Sequence, residues 1–179
     1  MAALKETIHL FLRRPTPKDA LVLKDLWKNE KIREFLGGTL LDDVIAEKII
    51  ALQAHWDRYE FGLWSVWKKD LECLIGLCGL HHTQDGLELS YLFFPEYWGQ
   101  GLGKEAACAS LNYGFTVLKQ DAIISITQEA NLRSCRLLEA IGMKPIHKFK
   151  RFNALQCLYK VHQEGYLKRK NNLKNICKE

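Results

Sequence analysis

The sequence predicts a domain of the mixed α/β (α+β) class, with one mixed and mostly antiparallel sheet of about six to seven strands flanked by about four helices. Two patterns predict this class. Short segments in which apolar residues alternate or run together between turn-forming residues predict strands at 61–67, 73–80 and 87–94. Longer segments in which apolar residues recur every three or four positions predict helices at 20–35 and from 42 to at least 56.

The N-terminal part of the chain predicts a strand followed by the first of these helices. Residues 7–13 form a β-prone run, and Thr16 or Asp19 can cap the helix that follows it. We expect this helix to bend near Asn29 and to end at Gly37 and its neighbouring glycine. The apolar stripes of this helix and the next predict mainly core positions.

The middle of the chain predicts three consecutive antiparallel strands. Residues 61–67 and 73–80 form a hairpin, in which Gly76 and Gly79 mark points of close backbone approach. Residues 81–86 are predicted as the next turn, after which the strand at 87–94 returns. The later elements are a helix at 102–118, a buried strand at 122–127, a short helix at 131–139 stopped by Gly142, and a closing hairpin of 145–151 and 155–162 through Asn153 and Ala154.

Length and composition suit a single domain with a full core, since 47% of the 179 residues are apolar and 26% are charged. We assign residues 1–162 to this domain and 163–179 to a basic C-terminal tail. The sequence lacks both an uninterrupted apolar stretch of about 18 residues and a secretory signal pattern, so we expect a cytoplasmic protein that does not enter a membrane. The six cysteines include no Cys-x-x-Cys pair, which is typical of free thiols in a reducing compartment.

The net charge of +5 is unevenly distributed. From Gln163 onward there are five basic and two acidic residues, which leaves +3 in the tail and a nearly neutral domain. Nucleic-acid binding needs a basic face that displaces counterions, so the composition disfavours it for the domain. Contact of the tail with RNA remains an alternative, and a solvated terminus is favoured over it.

The junction between the strand at 87–94 and the helix at 102–118 is rich in glycine. Glycines at 99, 101 and 103 lie directly before helix-forming residues, and the first turn of a helix leaves backbone N–H groups unpaired at the positive end of its dipole. Glycine lets an anion approach those N–H groups and tolerates the positive φ of a concave loop. The junction therefore predicts either a phosphate-binding loop or a tight connection without a ligand.

Two common phosphate-binding motifs do not match this loop. A Walker loop ends in Gly-Lys-Ser/Thr, whereas Lys104 is followed by Glu105, and the glycines lack the Gly-x-Gly-x-x-Gly spacing of a dinucleotide-binding fold. The segment from Pro95 to Ala106 instead resembles the pyrophosphate loop of the GNAT acetyltransferases, with Gly101 and Gly103 at its two glycine positions. The run of Tyr97, Trp98 and Gly99 resembles the RimJ/RimL-like branch of that family.

A second segment strengthens this resemblance. Asn131, Ser134 and Gly142 resemble the GNAT signature in which an Asn and the following helix lie beside the pantetheine arm of coenzyme A. Many family members have a Tyr at the position of Leu138 that protonates the departing thiolate, and Leu138 cannot do so. In the RimJ/RimL-like branch a Ser is common at the position of Ser134, which makes Ser134 the candidate proton donor.

The resemblance, which runs from about Ile8 to about His162, implies the GNAT fold and acetyl-coenzyme A as a co-substrate, with no metal. It implies that the backbone of one strand holds the thioester and the pantetheine, that the glycine loop holds the pyrophosphate, and that the first two helices line the acceptor groove. The implied coenzyme-binding residues are Leu92, Phe93, Phe94, Gly99, Gln100, Gly101, Leu102, Gly103, Lys104, Asn131 and Ser134, and the groove residues are Phe35, Trp56, Tyr59 and His81.

Acetyl transfer to an amine requires removal of a proton from the nitrogen, and Glu88 is the candidate general base. Glu88 and Ser90 share one strand face, and partial burial in a groove would raise the pKa of Glu88 toward neutrality. A solvent-exposed Glu88 and a water chain in place of a side-chain base are the alternatives. The neighbouring His81 and His82 do not form a metal site, since neighbours on a strand point to opposite faces and no third ligand is spaced nearby.

The leading functional hypothesis is an N-acetyltransferase that acts on a protein N-terminus or on a small-molecule amine. The alternatives are transfer of a longer acyl group, a non-catalytic module that binds coenzyme A, and RNA binding through the tail. The charges of the first two helices are mixed, with Glu47 beside Lys48 and Asp57 beside Arg58, so the sequence does not identify the acceptor. We expect a monomer or a homodimer, and the sequence does not decide between them.

Overall fold

The computed structural model describes residues 5–168. Eight strands form one sheet: β1 (Lys5–Glu6), β2 (Leu10–Arg13), β3 (Leu63–Lys68), β4 (Cys73–Thr83), β5 (Gly86–Phe93), β6 (Ala122–Gln128), β7 (Lys144–Arg151) and β8 (Ala154–His162). The α-helices are α1 (Ala20–Lys28), α2 (Glu30–Arg33), α3 (Asp42–Tyr59), α4 (Leu102–Thr116) and α5 (Leu132–Ala140). None of the helices within residues 5–168 has the length and apolar character needed to cross a membrane.

The strands follow the order β1-β2-β3-β4-β5-β6-β8-β7. All neighbouring pairs are antiparallel except β5 and β6, which are parallel and share a single register pair, Glu88 with Ile124. The structure therefore confirms the predicted mixed and mostly antiparallel sheet. It also divides the sheet into two parts, β1–β5 and β6–β8, that meet at one point.

The predicted strand at 7–13 is wrong in its first half. The backbone turns at Thr7, whose N–H donates to the Leu10 carbonyl at 3.0 Å. Thr7 Oγ1 and the His9 backbone N–H both donate to Glu105 on α4, at 2.5 and 2.8 Å. Because these hydrogen bonds hold the turn against α4, the preceding residues Lys5–Glu6 pair back on β2 as a separate strand.

The predicted bend near Asn29 is a complete break between α1 and α2. Asn29 adopts an extended ψ of 117°, and its side chain accepts a hydrogen bond from the Ile32 N–H at 3.2 Å, so that it caps α2. The buried Arg33 then donates to the carbonyl oxygens of Leu36 and Gly38. These bonds satisfy carbonyl groups beyond the end of α2 and hold the turn that follows it.

Helices cover both sides of the sheet. A large buried cluster packs α4 and α5 against the sheet, and a smaller cluster packs α1, α2 and α3 against Leu74 and Leu77 of β4. The predicted close approaches are confirmed, since a Cβ atom at Gly76 would lie 2.2 Å from the Leu92 carbonyl oxygen and one at Gly79 would lie 2.3 Å from the Gly62 carbonyl oxygen. The central strands thus depend on these two glycines for their spacing.

The predicted turn at 81–86 is too long. Strand β4 continues to Thr83, which pairs with Gly86, so the connection has two residues. His81 and His82 consequently belong to the strand, where their side chains point to opposite faces. As a residue of β4, His81 points its side chain toward the interior.

The closing hairpin of β7 and β8 turns at Phe152 and Asn153, which have φ of 51° and 57°. This is one residue earlier than predicted. Residues 163–168 form a helical turn, in which Tyr166 donates to the Cys108 carbonyl at 3.2 Å and its ring lies 5.0 Å from that of Phe115. The rest of the predicted tail and Cys177 lie outside the described residues, and the division at residue 162 remains a prediction.

Candidate active site

A cavity of about 980 Å³ lies where β5 and β6 separate. Both strands contribute to its wall after the one register pair that joins them, with Leu89 to Phe93 from β5 and Ser125 to Thr127 from β6. Ser125 Oγ donates to the Leu89 carbonyl at 2.8 Å, which holds the strands together just before they part. Along the rest of β5, the side toward β6 faces the cavity, so its backbone groups are available to a ligand.

One end of the cavity is formed by the glycine loop and the start of α4. Gly99 and Gly101 have φ of 75° and 80°, and Gly101 is the N-cap whose carbonyl accepts from Glu105 N–H at 3.0 Å. The backbone N–H groups of the first three helical residues, 102–104, therefore have no acceptor within the helix. This geometry suits an anionic group, as the sequence predicts.

Gly103 has a different role in the same loop. A Cβ atom at this position would lie 3.3 Å from Leu137 of α5 and 3.5 Å from the Phe93 ring. A larger residue would therefore separate the first turn of α4 from α5 and β5. Only Gly99 and Gly101 supply the positive φ that shapes the loop.

Cationic side chains surround the loop end of the cavity. Lys104 on α4 and both Arg133 and Arg136 on α5 line the wall. The Arg133 guanidinium lies 3.7 Å from the centre of the Trp98 ring, and Trp98 Nε1 donates to the Phe93 carbonyl at 2.8 Å. Three cations and a helix N-terminus thus favour a ligand that carries several negative charges at this end.

Glu88 lies at the other end of the cavity wall formed by β5. It is five residues from Phe93, which corresponds to about 17 Å along a strand. Burial raises the pKa of the Glu88 carboxyl to about 7, against the lowering effect of a hydrogen bond from the Ile126 backbone. A carboxyl group with this pKa can accept a proton near neutral pH.

Two histidines lie beside Glu88. His81 is opposite Glu88 in the β4–β5 register, and its Nε2 atom is 2.9 Å from Ser90 Oγ. The ring of His55, on α3, is centred 6.4 Å from that of His81. His55 Nε2 accepts from the His82 backbone N–H at 3.1 Å while Nδ1 lies 2.9 Å from the Phe61 carbonyl, which fixes the proton on Nδ1.

Burial lowers the pKa of both histidines, that of His81 to about 4, and the neighbouring imidazoles lower the pKa of His81 further. Both side chains are therefore neutral at pH 7. Within residues 5–168, no group of three His, Cys, Asp or Glu side chains is arranged to hold a metal ion.

Tyr91 is a cavity residue that the sequence analysis did not identify. Its hydroxyl lies 2.7 Å from Ser134 Oγ, and both residues line the wall. The Asn131 side chain accepts from the Ser134 N–H at 3.1 Å and so caps α5. Burial raises the pKa of the Tyr91 phenol, so the pair retains its protons at neutral pH.

The structure brings most of the predicted residues to the cavity. The predicted residues in its wall are Phe35, His81, Glu88, Leu92, Phe93, Gly99, Gly101, Gly103, Lys104, Asn131 and Ser134. Phe94, Gln100 and Leu102 are adjacent in sequence to wall residues without lining the wall themselves.

Two predicted groove residues lie elsewhere. Trp56 is only 2% exposed and donates from Nε1 to the Leu63 carbonyl at 3.0 Å, which places it in the core. Tyr59 packs against His55 and His82, with ring centres 4.7 and 4.6 Å away. The residues of α3 that line the wall are instead Lys48, Ala51, Leu52 and His55, which form one helical stripe.

Comparison with known proteins identifies the family. The profile of the family described as "Acetyltransferase (GNAT) domain" matches residues 9–144. The chain belongs to the GNAT acetyltransferase family. The matched range contains the glycine loop, Glu88 and Ser134, so the GNAT domain includes the whole cavity wall described above.

Two relatives are similar to much of this chain. An uncharacterized N-acetyltransferase, p20 from Bacillus licheniformis, is 26% identical over 148 residues, which cover 77% of this chain and 80% of p20. The uncharacterized protein YkkB from Bacillus subtilis is 29% identical over 111 residues, and the chain spans only 64% of the length of YkkB.

A solved structure has the same GNAT fold. The spermidine N-acetyltransferase from Vibrio cholerae, in complex with coenzyme A and spermine, matches 90% of this chain and 99% of its own with a TM-score of 0.78. At 20% sequence identity, this likeness concerns the fold alone.

Proposed function

We propose that this protein transfers the acetyl group of acetyl-coenzyme A directly to a primary amine within a ternary complex. One observation carries the proposal: a single cavity joins a helix N-terminus with unpaired N–H groups at one end to a carboxyl group with a pKa of about 7 at the other. The relatives that are acetyltransferases support it. The run of Tyr97, Trp98 and Gly99 supports membership of the RimJ/RimL-like branch.

The residues at the loop end fit the coenzyme. The unpaired N–H groups at the start of α4, with Lys104, Arg133 and Arg136 around them, would hold its phosphates. The open edge of β5 offers backbone hydrogen-bond partners to the amide groups of the pantetheine arm, in the manner of an added strand. The arm would then lead from the loop toward Glu88.

Glu88 would act as the general base. A primary ammonium group must lose one proton before its nitrogen can attack the thioester carbonyl carbon, and the Glu88 carboxylate takes it. The nitrogen–carbon bond forms as the carbon–sulfur bond breaks, and the nitrogen releases its second proton to solvent as the amide forms. The thiolate gains a proton from the hydroxyl pair of Tyr91 and Ser134, which recovers it from solvent.

The decisive experiment measures binding and turnover separately. Saturating acetyl-coenzyme A should raise the melting temperature of the wild-type protein, by the equivalent of about 2.7 kcal/mol at a hundredfold excess over Kd. Gly101→Glu should lose this rise. Gly37→Glu is the matched control, because Gly37 has a similar φ of 83° and similar open space but lies in the turn after α2.

Turnover is then followed as thiol release with a panel of amines. Release that depends on the amine supports the transferase. The alternative is a module that binds coenzyme A without catalysis, and binding without release for any amine at any pH between 6 and 9 would favour it.

A further inference from the structure

The charged side chains of the cavity wall are mostly cationic. Glu88 is the one acidic residue among the wall residues within 5–168. The cations are Lys31, Lys48, Lys104, Arg133 and Arg136. The charges of α1 to α3 look mixed in the sequence, but their acidic residues lie outside the wall, where Asp42 pairs with Lys24 and Lys28 and Asp57 pairs with Arg14.

Lys48 is the cation that belongs to the Glu88 end. It lies on the same stripe of α3 as His55, whose ring is near that of His81, and His81 is opposite Glu88. After burial and the neighbouring imidazoles, the charge of Lys48 is a further, smaller cause that lowers the pKa of His81. Lys104, Arg133 and Arg136 belong to the loop end, and Lys31 also borders Pro95 and Glu96 before the loop.

Lys48 is not used by the fold. None of the ion pairs and hydrogen bonds found within residues 5–168 involves its ammonium group. The two imidazoles beside it are neutral at pH 7. The Glu88 end of the wall therefore has one carboxyl group, and the exposed Lys48 is a cation without an ion pair on the adjoining stripe of α3.

We propose that the acceptor is a small amine that also carries an anionic group, either a carboxylate or a phosphate. The amine is directed to Glu88 and the anion is bound by Lys48. This inference rests on the proposed function. A polyamine fits the same end poorly, because its further ammonium groups would find no second carboxylate in the wall and would meet Lys48.

Matched pairs of small amines test the inference. 4-Aminobutyrate is compared with 1,4-diaminobutane, and O-phosphoethanolamine with ethanolamine, with spermidine as the polyamine. We expect kcat/KM for the better anionic amine to exceed that of its matched partner at least tenfold. Whichever anionic amine is preferred distinguishes a carboxylate from a phosphate.

Variants of α3 connect the preference to Lys48. Lys48→Gln should lower kcat/KM for the anionic amine about tenfold, the loss expected for a charge-assisted hydrogen bond, and Lys48→Glu should shift the preference toward diaminobutane. Arg58→Gln is the matched control, since it removes an exposed cation from the same helix outside the wall. Arg58→Gln should leave kcat/KM unchanged for both the anionic amine and diaminobutane.

Calorimetric titration of the anionic amine into protein saturated with coenzyme A gives a second readout that needs no chemistry, and Lys48→Gln should weaken this binding. Two results would overturn the inference without affecting the proposed acetyl transfer. One is that spermidine is acetylated faster than every anionic amine. The other is that Lys48→Gln does not change binding of the anionic amine. Acetyl-coenzyme A binding without acetylation of any amine would instead overturn the proposed function.

Discussion

Replacement of Glu88 by Gln should stabilise the protein at alkaline pH while it removes the proposed general base. The folded-state pKa of Glu88 is about 7, above its ordinary value of 4.5, because burial disfavours the charged form. Both states are protonated below pH 4.5, so the carboxyl group then has no effect on stability. As the pH rises the unfolded state ionises first, and the folded state is progressively destabilised until the pH exceeds 7.

These two pKa values set the size of the effect. Linkage gives a destabilisation by Glu88 of about 0.8 kcal/mol at pH 5 and about 3.4 kcal/mol at pH 8.5. The free energy of unfolding of Glu88→Gln minus that of the wild type should therefore increase by about 2.5 kcal/mol between these pH values. The subtraction cancels the contribution of every other titrating group that the substitution leaves unchanged.

Urea denaturation of both proteins at the two pH values measures this difference. Glu47→Gln is the control, since Glu47 is an exposed carboxyl group on α3 outside the cavity wall. In parallel, kcat/KM of the wild type should rise with pH through about 7, and Glu88→Gln should lose at least a hundredfold. A stability difference that stays constant from pH 5 to pH 8.5 would refute the assigned environment of Glu88.

Three further outcomes are expected. Tyr91→Phe and Ser134→Ala should each lower kcat at least tenfold without weakening acetyl-coenzyme A binding. If the two hydroxyl groups act as one proton chain, the double variant should have a kcat no lower than that of the worse single variant. Additive losses of kcat in a double-mutant cycle would contradict this. His81→Gln should gain about 2 kcal/mol in free energy of unfolding relative to the wild type as the pH falls from 8 to 5. The reason is that the folded-state pKa of His81 is lowered to about 4, so protonation below pH 6.5 favours the unfolded state. A difference in free energy of unfolding between the two proteins that is the same at pH 8 and pH 5 would argue against this. Gly79→Ala should destabilise the folded protein by several kcal/mol, since the new Cβ would lie 2.3 Å from the Gly62 carbonyl oxygen. An unchanged melting temperature in calorimetry would show that the strands can separate at this point.

The sequence predicts the parts of the site that are local in the chain. The glycine loop and the helix after it are adjacent, so residues 99–104 predict the loop and the helix start, and leave open whether an anion binds there. The pattern of β5 similarly places Glu88 and Ser90 on one face.

Contacts between distant segments could not be predicted in this way. Tyr91 and Ser134 are 43 residues apart, and their contact depends on how α5 packs against β5. Periodicity identifies an amphipathic α3 but not which edge of its stripe meets the cavity. Trp56 and His55 are neighbours about 100° apart around the helix, and the predicted groove residue Trp56 is in the core whereas His55 lines the wall.

The separation of β5 from β6 has a consequence for how this protein can change during evolution. On the side toward β6 the main chain of β5 borders the cavity, and its hydrogen-bonding groups are the same whatever side chain is present. Side-chain scanning will therefore not register what these main-chain groups contribute to binding. If the proposed function holds, substitutions on α3 can change which amine is accepted while the main-chain groups of β5 stay the same.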